Sequence, residues 1–196
     1  MSDTPPPGLR ERKRRQTRER LIAGAMRLFL ERGFDSTTIE AIAAAADVAR
    51  RTFFHYFASK EDLVFAWQDA SDEAINAALA AQPAGAAPLR ATEEALVAAI
   101  SQFDHEQTLA LARLIHETPT LHAREQAKYA RLEQALAATL AARMGRQPGD
   151  LEPQLVAMAA IGALRVGTAA WLAEGGREHP VAYARRAFAA LRAALG

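Results

Sequence analysis

Arg50-Arg51-Thr52-Phe53-Phe54-His55 sets two guanidinium groups, a hydroxyl and an imidazole within about two helical turns. A short helix over this stretch would turn Arg50, Arg51, Thr52 and His55 outwards and Phe53 inwards. Such a helix fits the major groove of B-DNA, where arginine donates two hydrogen bonds to guanine O6 and N7. Thr38 and Lys60 fall at the predicted starts of two further helices, where free N–H groups and the helix dipole attract phosphate. Upstream, Arg10, Arg12, Lys13, Arg14, Arg15, Arg18 and Arg20 face only Glu11 and Glu19. That run reads equally as a solvated helix face or as contact with a polyanion backbone.

Other chemistry is thinly represented. The chain has no cysteine, which excludes disulfides, thiolate metal sites and cysteine nucleophiles. His122-Ala-Arg-Glu125 has a metal-compatible i, i+3 spacing, but a di-iron bundle needs two facing pairs and there is one. The scattered His105, His116, His122 and His179 are expected to be solvated. No glycine-rich phosphate loop follows a strand, and no Gly-x-Ser-x-Gly elbow occurs. The expectation is no metal, no cofactor and no enzyme.

The elements that would position these groups are helices. Leu21, Ile22, Ala25, Leu28 and Phe29 stripe a first helix that ends at Gly33. Thr37-Thr38-Ile39-Glu40 reads as a capping box with Thr37 as N-cap, opening a short helix through Ile42 and Ala43. A turn at Ala46-Asp47 leads to the helix from about Ala49 to Tyr56. Ser59-Lys60-Glu61-Asp62 is a second capping box and starts a long helix through Leu63, Trp67, Ala74 and Leu79. Gln82 to Pro88 has the composition of a linker and of a domain boundary. Five helices follow, over about 89–104, 105–117, 119–144, 151–174 and 180–195. With no strand signal, an all-α fold of nine helices is predicted.

Composition agrees. Of 196 residues, 50% are hydrophobic and 24% charged, ample for a core in a globular protein. About a quarter are alanine, and β-branched residues are scarce, as helices prefer. The net charge of +1 divides unevenly, with +3 on residues 1–66 and -2 on residues 67–196. The proline-rich N-terminus lacks an apolar segment, so no signal peptide is expected. The most apolar window, Leu155 to Ala173, is broken by Arg165 and two glycines, so no membrane span is expected and a cytoplasmic location is.

The segment Arg20 to Leu63 resembles the DNA-binding domain of TetR-family transcriptional regulators. The likeness is carried by Thr38-Ile39-x-x-Ile42-Ala43 and by Val48-Ala49-Arg50-Arg51-Thr52-Phe53-Phe54-His55-Tyr56-Phe57-x-Ser59-Lys60-Glu61-Asp62-Leu63. The wording also resembles an actinobacterial group, some of whose members respond to acyl-CoA thioesters. The resemblance implies that Arg50, Arg51 and His55 face bases and that Thr38, Thr52, Tyr56 and Lys60 touch phosphates. Three positions depart from the pattern. Ala49 stands where a serine usually caps the helix, Asp47 where a glycine usually turns, and Phe54 where a tyrosine usually bonds a phosphate.

The reading is therefore a ligand-responsive repressor that binds a palindromic operator in double-stranded DNA as a homodimer. Residues 1–15 would be a flexible basic arm, 16–58 a three-helix helix-turn-helix domain, and 59–196 a helical bundle for sensing and dimerisation. Two recognition helices must be held about 34–36 Å apart to enter successive grooves. Val181, Ala184, Phe188, Leu191 and Leu195 form the apolar stripe expected at the dimer interface. The resemblance implies a cavity for a hydrophobic effector, an acyl-CoA or a similar molecule, with Ile100, Phe103, Leu111, Ile115, Met158 and Arg165 as candidate lining. Arg165, a charge inside an apolar helix, has three readings: an ion pair with Glu117, a subunit contact, or a partner for an anionic ligand. Two rivals stand beside this reading: an effector-free DNA-binding dimer, and an all-helical enzyme with a hydrophobic substrate.

Overall fold

In the computed structural model the backbone is described over residues 8–147 and 149–195, and side chains over the same span except 67–73 and 195. The described residues form α1 (Leu9–Arg32), α2 (Ile39–Ala45), α3 (Arg50–Tyr56), α4 (Lys60–Ala80), α5 (Pro88–Ile100), α6 (His105–Glu117), α7 (Pro119–Met144), α8 (Leu151–Ala173) and α9 (Pro180–Leu195). The all-helical expectation holds. Two compact units divide within α4, the first ending at Asp69 and the second starting at Ala70. The Gln82–Pro88 segment is thus no domain boundary. It lies inside the second unit, where Arg143 donates to the carbonyls of Ala80, Gln82 and Pro83.

The basic run is helical. Residues 10–15 are not an unstructured arm but the opening turns of α1, which starts at Leu9 with Gly8 as N-cap. Arginine, lysine, glutamine and glutamate are good helix formers, and Arg15 pairs with Glu19 one turn on at 3.7 Å. Further along α1, Leu21, Ile22, Ala25, Leu28 and Phe29 are buried, and Gly33 at φ 81° supplies a backbone conformation that disfavours side chains.

In the second unit, α8 packs on α7 and α9, and a core of Leu79, Leu96, Leu136, Leu140, Ile161 and Phe188 fills the space between α4, α5, α7, α8 and α9. At Gly167 a Cβ would meet the Tyr183 carbonyl at 3.1 Å, so glycine permits the close crossing of α8 and α9. Helix α5 stops at Ile100 rather than near 104, because Asp104 caps α6 by accepting from the Gln107 N–H at 2.9 Å. Helix α8 is long and apolar enough to cross a membrane by length and composition, a test that a core helix also passes, and a third of its most apolar window is buried within the chain.

Helices α5 and α9 are joined by charge. Glu93 has no exposed surface and accepts hydrogen bonds from Arg185 at 3.1 Å and from Arg192. Glu94 takes both Arg185 donors at 2.6 Å, and this bidentate bond holds its carboxyl below the ordinary value of 4.5. Removing one partner of a buried pair strands the other, so Glu93→Ala should cost about 3–5 kcal/mol in urea unfolding. Because the folded-state pKa of Glu94 is depressed, its contribution is complete above 4.5 and is lost as pH falls through the folded value. Arg185→Gln should therefore flatten the fall in stability between neutral and acid pH.

Candidate nucleic-acid interface and sensor cavity

In the first unit, α2 and α3 form a helix-turn-helix closed by Phe53 and Phe57, both buried. Asp47, at φ 52°, takes the left-handed turn position, and Ala49 leaves α3 without a side-chain cap, as the sequence predicted for both. At about 100° per residue from buried Phe53, Arg51 and His55 point most directly outwards, with Arg50 and Phe54 on one flank and Thr52 and Tyr56 on the other. Arg51 and His55 are exposed, and Thr52 and Tyr56 half-buried. Arg50 is also exposed, but its Nε lies 2.8 Å from a Glu40 carboxylate oxygen, so Glu40 serves the arginine rather than a capping box.

The helix cap is Thr38, not Thr37: the Thr38 hydroxyl accepts from the Ala41 N–H at 3.1 Å. Thr37 is buried and donates to the carbonyls of Gly33 at 2.8 Å and Leu28 at 3.3 Å. It thereby gives a donor to the Gly33 carbonyl, just past the end of α1. Lys60, expected at a phosphate, is a brace in the free protein. Its ammonium donates to the Phe34 carbonyl at 2.8 Å and sits 4.2 Å from the Phe34 ring centroid. The second capping box is formed, with Asp62 accepting from the Ala58 and Ser59 N–H groups at 3.0 Å.

The second unit holds a cavity of about 500 Å³ between α6, α7 and α8. Its polar wall comes from His116, His122, Glu125, Gln126, Tyr129 and Arg165, and its apolar wall includes Ala112, Val166, Ala169 and Leu172. Arg165 is exposed rather than buried, and makes no bond to Glu117. Its Nη2 donates to Gln126 Oε1 at 2.5 Å, and its guanidinium lies 5.6 Å from the Tyr129 ring centroid. Burial pushes the Glu125 carboxyl up, partly offset by His122, whose Nδ1 is 3.9 Å away. Burial also raises the Tyr129 hydroxyl. Among the described residues, no three His, Asp or Glu side chains gather as a metal site would require.

A profile described as "Bacterial regulatory proteins, tetR family" matches residues 21–67, and one described as "MftR C-terminal domain" matches residues 86–196. The chain belongs to the TetR family. It is 40% identical to the HTH-type transcriptional regulator TcmR of Streptomyces glaucescens, over 76% of this chain and 70% of that one. It is 32% identical to the mycofactocin biosynthesis transcriptional regulator MftR of Mycobacterium tuberculosis (strain ATCC 25618 / H37Rv), over 82% of each. Its fold matches that of a SmeT–triclosan complex with a TM-score of 0.66 at 17% identity, covering 91% of this chain and 90% of that one. The protein is a DNA-binding transcription regulator and not an enzyme.

The sensor residues named from sequence fall differently. Of the six expected cavity residues, Arg165 alone is in the lining. Leu111 and Ile115 are core, Ile100 and Phe103 are half-buried elsewhere, and Met158 is exposed. The sequence does carry a signal for the polar wall of this cavity: His122, Glu125, Gln126 and Tyr129 recur at i, i+3, i+4 and i+7, a polar face on α7. The α9 stripe expected at a dimer interface is largely covered within its own chain. Ala184 and Phe188 are buried in their own chain's core, Leu191 packs against that core, Val181 is half-buried, and the Leu195 side chain lies outside the described residues.

For the DNA face, Arg51→Ala should cost about 1–3 kcal/mol on a selected operator and relax the base preference at one position per half-site. Substituting Arg12 and Lys13 by glutamine on α1 should instead weaken operator and random DNA alike. It should lower the salt slope by about one unit for each phosphate that is no longer neutralised. Titrations at several salt concentrations distinguish the two.

Proposed function

We propose that this regulator is a cytoplasmic homodimeric repressor that leaves a palindromic operator when an apolar small molecule bearing an acidic group enters the α6–α7–α8 cavity. Arg50, Arg51 and His55 read bases, while Thr38, Thr52, Tyr56 and, once its brace is exchanged, Lys60 meet the backbone. The observation that carries the sensing half is the cavity itself. Its volume suits a drug-sized ligand. Its cation, Arg165, is held by a neutral amide rather than by a carboxylate. An acidic group on the effector supplies the missing counter-charge, and the apolar wall takes the remainder. That a protein of this fold is found as a complex with triclosan supports a small-molecule occupant.

The dimer reading rests on α8. Leu151, Leu155, Met158 and Val166 share one face and are exposed, Leu151 at 74% and Val166 at 67%. Gly162 lies within this row with open space above it, so a partner helix can approach closely. An apolar row of this length marks an association site. A two-fold contact would bury it against its own copy.

Two measurements test the reading. Mass spectrometry of small molecules carried by the purified full chain, followed by operator-release titrations with apolar carboxylates and acyl-CoA thioesters, should identify a releasing ligand. Arg165→Ala should then raise the half-release concentration about 10-fold to 100-fold while operator affinity stays unchanged. A chain that no ligand releases would be an effector-free DNA-binding dimer. In sedimentation, Leu155→Asp with Val166→Asp should give a folded monomer, whereas Phe188→Asp, which puts a charge into the core, should abolish cooperative folding.

A further inference from the structure

Helix α3 carries one large apolar side chain that the protein leaves in water. Phe54 is 48% exposed, while Phe53 and Phe57 beside it are buried. Its ring meets the edge of Phe53 with centroids 5.3 Å apart, so it stands on a fixed base. The Arg50 guanidinium lies 5.7 Å from its centroid and is itself held at 2.8 Å by Glu40. The phenyl group thus occupies a set place on the flank of the reading surface, one turn along from Arg50. It has no donor for a phosphate. The major-groove edge offers one apolar partner, the C5-methyl group of thymine.

We propose that Phe54 is a base-reading residue that covers a thymine methyl group, so that each half-site carries a thymine beside the base contacted by Arg50. The carboxylate–guanidinium–phenyl stack fixes both contacts together. Glu40 orients the arginine, the arginine lies against the ring, and the ring covers the neighbouring methyl.

The test uses the full chain and a duplex it selects from a random-sequence library. Each thymine is replaced in turn by deoxyuridine, which removes the methyl group and leaves every hydrogen-bonding edge intact. At one position per half-site, deoxyuridine should weaken wild-type binding about 4-fold, the worth of one buried methyl group. Phe54→Ala should bind the thymine and deoxyuridine duplexes equally, and Phe54→Leu should keep part of the discrimination. Retained affinity for random DNA and an unchanged melting curve show that the variants are folded. A wild type indifferent to deoxyuridine at every position overturns the proposal, as does a Phe54→Ala protein that discriminates like wild type. If Phe54→Ala fails to fold, the wild-type scan and Phe54→Leu decide.

Discussion

Glu93 is a carboxylate with no exposed surface, set where α5 meets α9. A charge taken out of water is tolerable only when it is paired and hydrogen-bonded. The pairing comes from Arg185 and Arg192, two turns apart on α9. With those arginines on α5, the rotation of α9 is set, and Ala184 and Phe188 turn into the core. The apolar stripe of α9 is therefore spent within the chain. Among the described residues of the second unit, the large exposed apolar side chains lie on α8, in a row that a second copy could cover.

In the first unit, small contacts fix what the reading surface presents. Thr37 and Lys60 both satisfy carbonyls around the α1–α2 connection, one from inside and one from α4. Gly24 of α1 packs against α2, where a Cβ would meet Ala45 at 3.4 Å, an ordinary van der Waals contact. Helix α3 has two turns and no side-chain cap, too little to be stable alone. It is held by Phe53 and Phe57, and that fixes the outward direction of Arg51 and His55.

The fold class, most helix boundaries and the helix-turn-helix were legible because each rests on local rules: capping residues, apolar spacing and turn chemistry. Misreadings came where distance along the chain hides the partner. Thr37 and Thr38 are both capping residue types and only Thr37 has a glutamate three residues on, yet Thr37 is buried and Thr38 accepts the bond from the Ala41 N–H. An apolar stripe such as 181-184-188 shows that a face is covered, but not whether by the same chain or by a copy. Lys60 and Phe34 are far apart in sequence, so nothing local marked the lysine as a brace. The cavity was missed because its lining is polar on α7, whereas the expectation sought apolar residues. Gln82–Pro88 has linker composition, yet Arg143 of α7 ties it down.

Helix α8 has three sides with different surroundings. One side enters the core through Ala157, Ala160 and Ile161, and the exposed row runs from Leu151 to Val166. Between them, Gly162, Arg165, Val166 and Ala169 line the cavity. Gly162 and Val166 belong to both the row and the cavity. An occupant that shifts Arg165 therefore acts on the helix that a second copy would grip, without any longer relay. Ligand control then needs a ligand whose affinity differs between two placements of α8, because equal affinity shifts nothing however tight the binding. Arg165 is suited to supply that difference. Its present partner is a neutral amide, and an acidic ligand would offer a stronger bond that only one placement of the helix can make with the best geometry.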